Sequence, residues 1–236
     1  MTDLPSTRNG IDELEKAIGL SFQDKNLLAL AFVHKSYINE NESQEAHNER
    51  LEFLGDAVLE LAVTDFLYRK YSDQAEGELT NWRSALVKGK NLAKVAAQLG
   101  LGEQLLLGRG EDMSGGREKE YILANTMEAL IGAIYLDKGY DESNKFIMKN
   151  IVALLEDIIA KGLHIDSKSR VQEITQERLN LTPRYELITE DGPDHDKIFE
   201  MGIYFGKKLA GRGSGPSKQE AEQEAAHDAL KKEGWM

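Results

Sequence analysis

The chain has 236 residues, 41% of them hydrophobic, which is enough to bury a core as one large domain or two smaller ones. It has no Cys, which excludes disulfide staples and Cys-ligated zinc and suits a reducing compartment, so the cytoplasm is the expected location. The net charge of −12 argues against a polyanionic partner at first sight, but it is unevenly spread: 18 Lys+Arg stand against 28 Asp+Glu up to residue 166, and 11 against 13 beyond it. A carboxylate-rich body can still approach nucleic acid where divalent cations sit between carboxylates and phosphates. The opening MTDLPSTRNG has no apolar signal core, and no stretch reaches the roughly 18 apolar residues of a membrane span, so neither secretion nor a membrane partner is expected.

In chain order, Ile11 to Ile38 reads as two short helices, with Gly19 as a stop and Asp24 as a cap. His34, beside apolar Phe32 and Val33, is a core or interface residue or else a ligand. A long helix is expected from near Glu45 to about Tyr71. Within NERLEFLGDAVLE, at about 100° per residue, Leu51, Leu54, Val58, Leu61 and Ala62 fall on one side and Glu49, Glu52, Asp56 and Glu60 on the other. Such an acidic face is either merely solvated or functional. Phe53 lies on it, where a lone chain would leave the phenyl ring wet, which suggests a second copy of the chain.

The polar stretch SDQAEGE ends that helix, and Asn81 to Leu99 is helical again, with Gly100 as its stop. Gly108 to Glu120, GRGEDMSGGREKE, is a glycine-rich loop, an exposed connector or a segment shaped around something; it lacks the Gly-Lys-Ser/Thr ending of a phosphate-cradling loop. Tyr121 to Asp137 is a very apolar helix in which Glu128 is the only charged side chain between Ile122 and Leu136. Burying an unpaired carboxylate costs several kcal/mol. Glu128 therefore needs a metal, or hydrogen bonds from backbone or Arg. Asn125 shares its face, and Ala129 and Gly132 are small enough to admit another helix. If that helix is the acidic one, Glu49, Glu52, Asp56, Asn125 and Glu128 form one oxygen-rich cluster.

Asp141 to Lys161 continues as helix, and KGLHIDSKS reads as an interdomain linker. Beyond it come a helix from about Ser169 to Asn180, strands at YELITE, KIFEMGIYF and KLAGRGSG with turns at DGPDHD and FGKK, and a last helix opened by the capping box Ser217-Lys218-Gln219-Glu220, whose N-terminus suits an anion.

NERLEFLGDAVL closely resembles the signature of the ribonuclease III family, and the α-β-β-β-α tail with GPDH and GSGPSKQEAEQEAA resembles its double-stranded-RNA-binding domain. The resemblance covers nearly the whole chain. It implies a multi-domain α and α+β protein: an all-α endonuclease domain over residues 10–139 that dimerises, with a helical extension to about 160, a linker at 161–166, and an RNA-binding domain over 167–236. It places Phe53 at the dimer interface. It assigns Glu52, Asn125 and Glu128 to a metal, Asp56 and Glu128 to catalysis, and Glu49 and Glu76 to the acidic margin of the cleavage valley. The implied cofactor is Mg²⁺, with Mn²⁺ as a substitute, and no organic cofactor. The implied reaction is hydrolysis of double-stranded RNA, including ribosomal precursors and other structured transcripts, to 5′-phosphate and 3′-hydroxyl ends with a short 3′ overhang. In the tail it assigns RNA contacts to Gln172, Glu173, Gln176, His195 and Lys218.

Two positions depart from the family pattern. Asn125 stands where Asp is usual, giving up a negative charge while keeping a carbonyl oxygen for a hard cation. This leaves open a second reading, a catalytically impaired RNA-binding dimer. Gln219 and Glu220 stand where further basic residues are frequent, so modest RNA affinity is expected, with help from Lys207, Lys208 and Arg212 only if they lie near the same face.

Overall fold

The first helices form where the sequence supplies ends for them. In the computed structural model, which describes residues 10–40, 46–162, 166–193 and 197–235, α1 (Ile11–Ile18) stops at Gly19, whose φ of 72° suits glycine best. The next helix, α2 (Lys25–Leu30), starts where the Asp24 carboxylate accepts the backbone N–H groups of Asn26 at 2.9 Å and Leu27 at 3.3 Å. A third short helix, α3 (Lys35–Ile38), was not expected; His34 starts it by accepting the Ser36 N–H through Nδ1 at 3.2 Å, so this histidine is a half-buried cap.

The signature helix, α4 (Glu49–Lys70), is anchored by buried Asn48, whose amide donates to the Ala31 carbonyl at 3.2 Å and whose N–H donates to the Val33 carbonyl at 2.9 Å. The expected start at Glu45 lies outside the described residues. The sequence reading put Leu61 on the apolar side, but it is 58% exposed, while Leu51, Val58 and Ala62 are buried as expected.

Three further stretches differ from expectation, two because a local backbone break divides an expected helix and one because an expected loop folds into short helices. Helix α5 (Glu76–Leu86) already begins inside the polar SDQAEGE stretch, and the extended Lys88 separates it from α6 (Gly89–Gln98), so 81–99 is two helices. Beyond α7 (Leu101–Gln104), the glycine-rich segment forms α8 (Arg109–Met113) and a 3₁₀ turn at Gly116–Glu118. Arg117 organises it: its guanidinium meets both Asp112 oxygens at 2.7 and 3.1 Å and donates to the Gly102 and Leu105 carbonyls at 3.0 and 2.8 Å. After α9 (Glu120–Lys138), the expected single helix at 141–161 is α10 (Tyr140–Asn150) and α11 (Leu155–Ala160), divided by a 3₁₀ turn at Val152–Leu154.

The chain divides into two compact units, residues 1–164 and 165–236. In the first, α4 and α9 make the most extensive contact between any two helices. They cross with backbone touching backbone. A Cβ built on Gly55 would overlap the Glu128 carbonyl oxygen, one built on Gly132 would overlap the Leu51 carbonyl oxygen, and Gly132 would also approach the Gly55 nitrogen at 3.2 Å. Around this crossing Leu59, Val63, Met127, Leu130, Ile131 and Ile134 are fully buried.

The second unit runs α12 (Ser167–Leu179), β1 (Arg184–Asp191), β2 (Ile198–Phe205), β3 (Lys208–Gly215) and α13 (Lys218–Lys232), the α-β-β-β-α order read from the sequence. The antiparallel sheet has the order β1-β2-β3, with Ile203 paired to Tyr185 on one side and Gly211 on the other. Helix α13 lies on β3 and β2 and against α12. Gly211 and Gly213 leave no room for a side chain: a Cβ on either would run into the backbone of α13 at Ala225.

Substituting Gly55 with Ala forces a methyl into the α4–α9 crossing. Overpacking of this kind costs about 1–3 kcal/mol, so the melting temperature of the first unit should fall by roughly 3–10 °C. Calorimetry on the full chain checks this; an unchanged transition would mean that the two backbones are not in contact.

Candidate active site and nucleic-acid interface

The crossing places the acidic side chains. Gly55 sits against the Glu128 backbone and Leu51 against Gly132, so Glu52 and Asp56, each one residue further along α4, emerge beside Asn125 and Glu128 of α9. Asp56 is exposed, whereas Glu52, Asn125 and Glu128 are half-buried.

Their electrostatics follow from burial and crowding. Burial pushes the Glu128 carboxyl up to about 7, and the nearby charges of Asp56 and Glu52 push the same way. Glu52 is also raised, first by burial and then by Glu49, while Lys35 and a hydrogen bond from the Asn125 carboxamide pull it back. Among the described residues no Lys, Arg or His forms an ion pair with Glu52, Asp56 or Glu128. The sequence reading passed over Lys35 and His47, which lie 3.2 and 3.7 Å from the Glu49 carboxylate and hold it at the edge of the cluster.

Glu76 does not join this group within one chain. It opens α5 beyond the far end of α4, and the 18 residues from Glu52 to Lys70 alone span about 27 Å. It accepts a hydrogen bond from the Thr80 hydroxyl at 3.0 Å.

Among the described residues no three His, Cys, Asp or Glu side chains are gathered tightly enough to hold a metal ion as they stand. The donor chemistry nevertheless fits a hard divalent cation. All the donors are oxygens, Asn125 supplies a carbonyl that a carboxylate-only grouping leaves out, and a positive charge would offset the cost of ionising Glu128 beside Asp56 and Glu52.

In the second unit Gln172, Glu173 and Gln176 are exposed on α12, away from buried Val171, Ile174 and Thr175. The Gln176 amide donates to Asn180 at 3.0 Å, and Glu173 lies 3.7 Å from Arg170. Lys218 begins α13, its ammonium 5.7 Å from the centre of the Phe199 ring, and Ser217 caps that helix by accepting the Glu220 N–H at 3.2 Å. The starts of the two helices are tied by Lys168 to Glu222 at 2.6 Å and Gln223 to Asp166 at 3.0 Å. His195 lies outside the described residues. Lys207 and Lys208 do not reinforce Lys218: Lys207 is in the β2–β3 turn and Lys208 directly after it, and Lys208 pairs at 2.6 Å with Glu233, at the opposite end of α13. Arg212 is 3.3 Å from Glu200.

A sequence profile described as Ribonuclease-III-like matches residues 24–155, and one described as Double-stranded RNA binding motif matches residues 167–233. A protein named Ribonuclease 3 from Natranaerobius thermophilus is 47% identical over 222 residues, covering 94% of this chain and 96% of its own length. The chain belongs to the ribonuclease III family. Another Ribonuclease 3, from Syntrophobacter fumaroxidans, is 47% identical over 228 residues, covering 94% of each chain. The nuclease domain of ribonuclease III from Campylobacter jejuni aligns with a TM-score of 0.57 at 43% identity, covering 60% of this chain and 96% of that one. The protein is thus a double-strand-specific endoribonuclease, and the reading of a catalytically impaired RNA-binding dimer is not favoured.

Because folding raises the Glu128 carboxyl to about 7, its ionisation opposes folding: the penalty is absent near pH 4 and grows as pH climbs to about 7. The metal-free Glu128→Gln protein should therefore melt higher than the parent at pH 8, by about 1–2 kcal/mol after allowance for solvent screening. The difference should vanish at pH 4. Thermal melts in EDTA across that range test it, and a variant that is less stable at pH 8 would contradict the account.

Proposed function

We propose that the chain hydrolyses phosphodiester bonds in double-stranded RNA with Mg²⁺, or Mn²⁺ in its place, leaving 5′-phosphate and 3′-hydroxyl ends with a short 3′ overhang. The observation that carries this reading is the half-buried Glu128, crowded by Asp56 and Glu52 without a basic partner among the described residues. Glu52, Asn125 and Glu128 would hold the cation, which when bound polarises the scissile phosphate and makes water more acidic. Asp56, exposed at the mouth of the cluster, accepts a hydrogen bond from the attacking water and directs it at phosphorus. The new bond joins the water oxygen to phosphorus, the bond to the 3′ oxygen breaks, and that oxygen leaves as a hydroxyl once it takes up a proton. Glu49 and its partners Lys35 and His47 border the site.

A homodimer fits the exposed face of α4. Phe53, Leu61 and Tyr68 are 80%, 58% and 73% exposed, and at about 100° per residue they line one stripe. The related Campylobacter nuclease domain was described for flexibility in a region of dimer formation. In the tail, Gln172, Glu173, Gln176 and His195 would contact 2′-hydroxyls in two minor grooves, and Lys218 the phosphates between them. The substrates proposed are ribosomal precursors and other structured transcripts, cut in the cytoplasm.

Long duplex RNA incubated with the protein should give staggered products in Mg²⁺ and none in EDTA, and Glu128→Ala should lower the rate on the order of 10²–10⁴-fold. Duplex that is retained but uncut by the parent in Mg²⁺ would sink this reading. Asn125→Asp restores a charge to the donor set and should lower the Mg²⁺ concentration needed for half-maximal rate several-fold. An unchanged or higher requirement would show that Asn125 is not a donor.

A further inference from the structure

The face of α9 that carries Asn125 and Glu128 continues toward the start of the helix through Tyr121. The three residues are spaced i, i+4 and i+7, within about 60° of one another around the axis, so Tyr121 stands one turn from Asn125 on the side of the acidic cluster. Its side chain is 55% exposed. On a helix as apolar as α9, an outward phenol beside half-buried carboxylates differs from a scattered surface residue in its setting. Its hydroxyl lies near the Glu111 carboxylate, which Lys119 first and Tyr121 last hold below the ordinary carboxylate range. That carboxylate is in turn fixed by Lys119 at 2.6 Å, whose ammonium also donates to the Ser114 hydroxyl at 3.0 Å. The support behind this group is rigid, because Arg117 binds α8 to the Gly102 and Leu105 carbonyls just before α9 begins. The ring thus has its polar end near Glu111 and is more than half exposed on the side of α9 that carries Asn125 and Glu128.

A duplex in the A form keeps its bases stacked, and offers a protein its phosphates and the riboses of a wide, shallow minor groove. An exposed aromatic ring suits the ribose surface, which is partly apolar and flanked by the 2′-hydroxyl.

We propose that Tyr121 is a substrate-contact residue of the nuclease unit, packing its exposed ring against a ribose next to the scissile phosphate, with its hydroxyl near Glu111. This rests on the proposed cleavage of duplex RNA at the Glu52–Glu128 cluster. The contact supplies binding and placement rather than chemistry, so its loss acts on KM more than on kcat.

The test uses the full chain and a blunt duplex RNA about twice the ~16 base pairs that an RNA-binding module spans. Tyr121→Ala should raise KM about tenfold, the size of effect that loss of one aromatic contact to nucleic acid produces, with kcat within about twofold of the parent. Tyr121→Phe keeps the ring and loses only the hydroxyl, and should raise KM less than about threefold. In the Glu128→Gln background, where RNA is not consumed, the Tyr121→Ala change should weaken duplex binding by the same factor. A series of duplexes with one 2′-O-methyl group near the cut should include a position where the parent loses affinity and Tyr121→Ala does not, a coupling that a merely structural residue would not show. Unchanged KM and binding in Tyr121→Ala overturn the proposal. So does a shift in the dimer dissociation constant alone, which would assign the ring to the contact between copies, or a fall in kcat that follows a lowered melting temperature. If the parent does not cut duplex RNA, the cleavage reading fails, while the binding comparison in the Glu128→Gln background still decides Tyr121.

Discussion

The nuclease unit depends on one contact that involves almost no side chain, the crossing of α4 and α9 at Gly55 and Gly132. Glycine at both positions lets the Leu51 and Glu128 carbonyls lie against the opposing backbone. Any side chain there would push the axes apart and carry Glu52 and Asp56 away from Asn125 and Glu128. The large apolar residues around the crossing, Leu59, Met127 and Ile131 among them, exclude water from the contact. The geometry of the acidic cluster is thus set by backbone proximity, and side-chain packing holds it in place.

That geometry works against stability. The crossing brings three carboxylates and a carboxamide together at the border of an apolar core, and the displaced ionisation of Glu128 measures the resulting strain. Lys35 and the Asn125 carboxamide relieve part of it at Glu52, and among the described residues no comparable group reaches Glu128. Having Asn rather than Asp at position 125 removes one charge from the crowd and also one attraction for a cation. By leaving out a negative charge beside Glu52 and Glu128, Asn at this position lessens the like-charge repulsion that folding must overcome.

Much of this was legible in the sequence where a residue was out of keeping with its surroundings. Glu128 stood out as the lone charge in an apolar helix, and Gly132 as a residue small enough for another helix to approach. The α-β-β-β-α tail was legible from alternating strands and a capping box. What was not legible depended on interactions far apart in sequence or on single backbone angles. The glycines of 108–120 suggested a loop, but one arginine turns that segment into short helices by reaching carbonyls 12 and 15 residues back. Leu61 satisfies the helical period of the buried side and is nevertheless exposed, because periodicity does not say how wide the covered sector is. Whether Lys208 lies near the face of Lys218 is decided by a partner 25 residues later in the sequence, Glu233.

The seam between β3 and α13 has a thermal consequence. There Gly211 and Gly213 meet Ala221, Ala225 and Ala229, so the interface is closed by backbone approach rather than by large side chains. Unfolding such a seam wets little hydrocarbon, and the heat-capacity change of unfolding scales with the apolar surface that is wetted. The seam therefore adds little to the heat-capacity change on unfolding of the RNA-binding unit, which comes instead from the large buried side chains beside it, Val171, Ile174, Ile203, Phe205 and Leu230.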